Sequence, residues 1–112
     1  MITITQNAAK QINFSAEKSG IKNAVMRIAI RKLDTGEFQY ALGFDDAISA
    51  NDIEFKSVGI ALVINPQSLE LGKDLAIDYV ELDSGDKNFI FLNPLDPNYQ
   101  APSDMVGHDA NE

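Results

Sequence analysis

Without cysteine, the side chains with which this chain could bind a metal ion or divide acid–base work are its carboxylates, hydroxyls and a single imidazole, His108. That absence removes disulfides, thiolate nucleophiles, zinc-finger sites and cysteine-ligated iron–sulfur clusters together. Three groups of candidates remain. The first is the polar turn inside RKLDTGEFQYALGF, residues 31–44, which offers Asp34, Thr35 and Gly36; none is a strong nucleophile or a soft metal ligand. The second is a pair of acidic dyads, Asp45–Asp46 and Asp83–Asp86, which could divide acid and base roles if held close together. Each dyad sits beside Gly or Ser, however, where aspartate is favoured for local hydrogen bonding, so turns are expected. The third is Asp104, His108 and Asp109, which with Asp34 could form a hard-ligand iron site of carboxylates and one imidazole. A solvated tail histidine is the simpler reading, and no metal site is expected. VGIALV has one glycine and no phosphate-loop spacing. With no nucleophile–base pair and no cofactor motif, the chain is not expected to be an enzyme.

The bulk properties narrow the choice of partner. At 112 residues and 45% hydrophobic content, the chain can bury one modest core. Its net charge of −8, from 17 acidic and 9 basic residues, argues against nucleic-acid phosphates and anionic membrane surfaces. No apolar run approaches the ~20 residues needed to span a bilayer. The opening MITITQNAAKQINF lacks the basic and continuously apolar regions of a signal peptide. A cytoplasmic protein is expected.

The elements that must position these residues follow from periodicity. In residues 5–19, Ala8, Ala9, Ile12 and Ala16 recur at helical spacing, with Thr5 as N-cap and Gly20 as the stop. NAVMRIAIRKL alternates, placing Met26, Ile28 and Ile30 on one face of a strand. EFQYALGF alternates more strictly, with Phe38, Tyr40, Leu42 and Phe44 together, and the short turn makes the two strands antiparallel. The default for such an aromatic face is core packing. An acidic loop, a short strand around Ile53 and Phe55, a turn near Ser57 and a buried strand at Ile60–Ile64 come next. Pro66 can open a short helix that Gly72 interrupts. AIDYVEL and NFIFL then form a hairpin around DSGDK. The reading is one α+β domain rich in sheet over residues 1–94. Residues 95–112 read as an acidic, flexible tail: from Asn93 onward there are four acidic residues, no Lys or Arg, and Tyr99 standing alone as a docking aromatic.

Four fragments in this order resemble the A-type iron–sulfur carrier family, the HesB-like or IscA-type proteins. They are the acidic loop entering DIEF, VGIALVINPQSL, the IDY of Ile77–Tyr79, and the Phe89, Phe91, Asn93, Pro94 pattern. The resemblance spans roughly residues 2–102. It implies a compact β-rich fold of antiparallel and mixed strands, with an N-terminal helix and a short second helix. It also implies assembly into dimers or higher oligomers and delivery of an iron–sulfur cluster held by three cysteines. Those cysteines would fall on Thr35, in the first turn, and on Gln100 and Pro102 in the tail, with Ala101 in place of an intervening glycine. All three are replaced. Asp74 stands where the family carries glycine, and the turn at Ser84–Lys87 holds one residue more.

A scaffold does not confer a site whose ligands are missing. The expectation is therefore a degenerate homologue without cofactor, acting as a protein-interaction module toward cysteine-bearing carriers or their recipients. The alternative keeps iron or cluster delivery through a cysteine-bearing partner subunit or through non-cysteine ligands.

Overall fold

The computed structural model describes residues 1–99. Its elements are β1 (Thr3–Ile4), α1 (Gln6–Ser19), β2 (Val25–Lys32), β3 (Phe38–Phe44), β4 (Ile53–Ser57), β5 (Ile60–Ile64), α2 (Pro66–Leu71), β6 (Ala76–Glu81) and β7 (Lys87–Leu92). The α+β expectation holds, and both helices start and stop on the residues that the pattern indicates. The Thr5 hydroxyl accepts from the Ala8 amide, and Gly20, at φ 70°, closes α1 through bonds to the Ala16 and Glu17 carbonyls. The Asn65 side chain caps α2 by accepting from Ser68 N–H, with Pro66 following it.

Two sheets share the core. The larger has strand order β3-β2-β5-β4, and the smaller has order β1-β6-β7. β2 pairs antiparallel with β3 and parallel with β5, from Val25 opposite Ala61 to Ile28 opposite Ile64. β5 ends there while β2 runs on. A side chain from α2 takes over: Ser68 Oγ accepts from Ile30 N–H at 3.0 Å and donates to the Ile30 carbonyl at 3.1 Å. The open edge of a buried strand is thereby satisfied without another strand.

The smaller sheet depends on β1, a two-residue strand that alternation cannot reveal. Thr3 lies opposite Ala76 and Ile4 opposite Ile77 in parallel register. The Ile4 amide also donates to Ser57 Oγ at 3.1 Å, joining this sheet to β4 of the other. Ile4, Ala8 and Ile12 from the N-terminal segment pack with Ile28, Leu62, Ile64, Leu75 and Ile77 in one cluster, and six of these eight are completely buried. Phe38, Tyr40, Leu42 and Phe44 pack against that cluster from its margin and are only half-buried, because β3 is an edge strand. Among the described residues no helix is long and apolar enough to cross a membrane.

Candidate functional site

The β2–β3 register closes at Lys32 opposite Phe38, leaving Leu33–Glu37 as the connecting turn. Leu33 N–H donates to the Glu37 carbonyl at 2.8 Å, and Gly36 N–H donates to the Leu33 carbonyl at 2.9 Å. Gly36 adopts φ 92°, a left-handed conformation that suits glycine. Thr35 is displayed at the tip. Its hydroxyl donates to Glu37 Oε1 and accepts from Glu37 N–H, both at 3.3 Å. The hydroxyl is thus used inside the turn, in the local side-chain-to-backbone pattern open to Ser and Thr.

β3 carries this turn to the start of the tail. Five positions along from Thr35, the Tyr40 ring stacks on Phe91 of β7, with centroids 4.9 Å apart and planes 5° from parallel. Its phenol donates to Asp96 Oδ2 at 2.5 Å. Burial first, and then the Asp96 carboxylate, raise the Tyr40 pKa well above the usual phenol value. Asp96 is itself fixed by a turn: its N–H donates to the Asn93 carbonyl at 3.0 Å, and its Oδ1 accepts from Asn98 N–H at 2.8 Å. Asn93 is 1% exposed; it donates to the Leu71 carbonyl at 2.8 Å and accepts from Leu95 N–H at 3.1 Å.

β3 therefore links one predicted site position, Thr35 in the turn before it, to Asp96, which bonds to Tyr40 on the strand. Gln100 and Pro102 lie outside the described residues, as do Asp104, His108 and Asp109 of the imagined iron site. Gln100 follows Asp96 by four positions. Tyr99 is 38% exposed, and its N–H donates to the Asp96 carbonyl.

Of the acidic dyads, Asp45 accepts from Arg27 Nε at 2.6 Å, and Asp86 accepts from the Ser84 hydroxyl within its own turn. Sequence reasoning missed the partner of Asp45. Arg27 also clamps Asp52 with two bonds, of 2.9 and 2.6 Å, the bidentate geometry that suits guanidinium and carboxylate. Arg27 on an alternating strand and Asp52 before the next one gave no local sign of pairing, because 25 residues separate them. Among the described residues no three His, Cys, Asp or Glu side chains are placed to share a metal ion.

No model of a known protein family matches the chain. Individual proteins do. The iron-sulfur cluster insertion protein ErpA of Acidithiobacillus ferrooxidans is 32% identical over 94 residues, covering 84% of this chain and 75% of that protein. The crystal structure of IscA with the [2Fe-2S] cluster superposes with a TM-score of 0.69 and 26% identity, over 84% of this chain and 86% of that one. This chain belongs to the A-type iron–sulfur carrier family. Escherichia coli SufA, described as involved in biosynthesis of iron-sulfur clusters, matches at a TM-score of 0.72 over 92% of this chain and 89% of its own; at 21% identity this speaks for the fold alone.

Within the A-type family this member is cysteine-free throughout its sequence. The cluster held by IscA sets a chemical test for the residues present here. Iron–sulfur clusters are held by thiolates or, less often, imidazole. At the three positions that the sequence resemblance assigns to the ligands, this chain offers a hydroxyl already bonded to Glu37, an amide, and a proline ring with no side-chain donor atom. These groups do not fit a cluster.

Proposed function

We propose that this chain is a degenerate A-type carrier that holds no cluster of its own and works in the cytoplasm by protein contact, engaging cysteine-bearing carriers or their recipients. The reading rests on one observation. The turn that would present the first ligand is fully built, with its register, its left-handed glycine and its backbone bonds, yet it displays Thr35 in a chain with no cysteine. The family scaffold was retained while the donor chemistry was not. A β-rich surface without a metal centre can still recognise proteins through its edge strands and exposed side chains.

Anaerobic incubation with ferrous iron and sulfide tests the claim. The chain alone is expected to remain colourless, and affinity capture from its native cell to recover A-type carriers or iron–sulfur proteins. A brown chain with thiolate-like charge-transfer bands is incompatible with its composition. Colour arising only when a cysteine-bearing homologue is added, and co-eluting with this chain in one oligomer, would move the reading to delivery by a mixed oligomer. The triple substitution Thr35→Cys, Gln100→Cys and Pro102→Cys is expected to restore cluster binding. A triple variant that folds but stays colourless would mean that the three positions are misassigned.

A further inference from the structure

We propose that the acidic C-terminal segment, residues 100–112, docks in a lysine-rimmed groove between α1 and the β6–β7 hairpin of its own chain. The groove is open, about 680 Å³ in volume, and is lined by Lys10, Gln11 and Phe14 of α1 together with Tyr79, Glu81 and Lys87 of the hairpin. Its placement follows from helix geometry. Ala8, Ala9, Ile12 and Ala16 turn one face of α1 to the core, so Lys10 and Phe14, four positions apart, share a different face. Phe14 is 54% exposed, an aromatic ring that the fold leaves without cover. Lys18 Nζ stands 5.5 Å from its ring centre.

The charge of the groove runs against the charge of the molecule. Lys10 and Lys87 line the groove with Glu81 as its one acidic lining residue, and Lys18 stands over the Phe14 ring, on a chain whose net charge is −8. Among the described residues none of these three lysines has an ion-pair partner, even though Glu81 lies opposite Lys87 in the β-ladder. The segment 100–112 has the complementary composition: Asp104, Asp109 and Glu112, no Lys or Arg, and Met105 and Val106 directly beside the first aspartate. An apolar pair next to a carboxylate suits an aromatic floor with a cationic rim.

Chain length permits the contact. The segment departs from Asp96, which Tyr40 holds beside Phe91. From Phe91 to Lys87 the path along β7 is four residues, about 14 Å at ~3.4 Å per residue. Asp104 follows Asp96 by eight positions, a reach of up to about 28 Å when extended. Tethering also gives the segment a high effective concentration at the groove, an advantage that an untethered acidic peptide lacks. A second groove with two lysines, Lys56 and Lys73, is almost wholly apolar inside and is lined by Ile53, Phe55 and Leu69; it lacks an aromatic ring open to solvent comparable to Phe14.

The absence of cysteine makes the experiment clean. In the full-length chain, His108→Cys provides a single attachment point for a nitroxide, and amide spectra of oxidised and reduced label are compared. At low salt the amide signals of Lys10, Gln11, Phe14 and Tyr79 are expected to lose most of their intensity. The loss should vanish in about 1 M salt, where the screening length falls to ~3 Å, and in the labelled double variant Lys10→Glu, Lys87→Glu. Uniform intensities, broadening centred on Lys56 and Lys73 or on the Thr35 turn, or broadening that survives both salt and charge reversal would overturn the proposal. So would broadening seen undiminished in a mixture where label and isotope are on different copies, since the segment would then be reaching a second molecule.

Discussion

Thr35 and Tyr40, five positions apart on one hairpin, show how a single oxygen can be put to structural use. The Thr35 hydroxyl is spent on Glu37, and the Tyr40 hydroxyl is spent on Asp96. Tyr40→Phe keeps the stack on Phe91 and deletes only the phenol, so it isolates the bond to Asp96. We expect a loss of roughly 1.5–3 kcal/mol in urea unfolding, the range for a hydrogen bond to a charged group; an unchanged midpoint would mean that the phenol contributes nothing net. The sign of the pH effect follows from the raised Tyr40 pKa. Its contribution is complete below the ordinary phenol value of ~10 and declines as pH rises beyond it, because the unfolded phenol ionises first. Val58 offers the opposite case. It sits at φ 50° beside Gly59 at φ 80° in the β4–β5 turn, where a β-branched side chain is strained. Val58→Asn should raise stability by about 1 kcal/mol, readable as a higher melting temperature with the fold intact. Neither residue announced its role in the sequence. Tyr40 fits an alternating strand and reads as core, while Asp96 reads as tail, and only the stacking of two sheets brings them together.

At the scale of elements, the sequence was legible wherever a pattern extended over several residues. α1, β2 and β3 were visible because apolar side chains repeat at 3.6 or 2 residues and the stops are Gly20 and a polar turn. β1 was invisible because two residues cannot show a period. The knot joining α2, β2 and the end of β7 was equally hidden, since Ser68, Gly72 and Asn93 are small or polar residues whose partners lie far along the chain. Gly72 is needed there for space. A Cβ at this position would collide with Ile30 Cδ1. Gly72→Ala should therefore cost about 1–3 kcal/mol as an overpacked site. Ile30→Val removes the colliding atom and should cost ~0.5–1.5 kcal/mol alone. The double variant should be clearly more stable than the sum of the two losses implies; strict additivity would place the strain of Gly72→Ala elsewhere.

Taken as a whole, the molecule combines a net charge of −8 with the pairing of an enclosed carboxylate, Asp52, whose side chain is 4% exposed. Arg27 holds Asp52 well below the usual carboxylate range. Asp45 is lowered first by the Ala47 amide and then by Arg27. The unfolded chain therefore binds more protons in acid, so the stability supplied by this trio is complete above about pH 4 and is lost as pH falls further. Asp52→Asn should flatten the acid limb of a plot of melting temperature against pH, and a parallel limb would assign the acid sensitivity to other carboxylates. The family was legible from four fragments in order. What those fragments could not convey is how the two sheets are assembled in time. All four strands of the larger sheet lie within residues 25–64, so it can close from one contiguous stretch. The smaller sheet cannot, because Thr3 must find Ala76 across 73 intervening steps of chain. During synthesis, the N-terminal strand has to wait for β6 to emerge, with its edge unpaired in the interval. Folding should accordingly show a fast phase that protects amides of β2 and β5 and a slower one that protects Thr3 and Thr5, in keeping with the cost of joining distant segments.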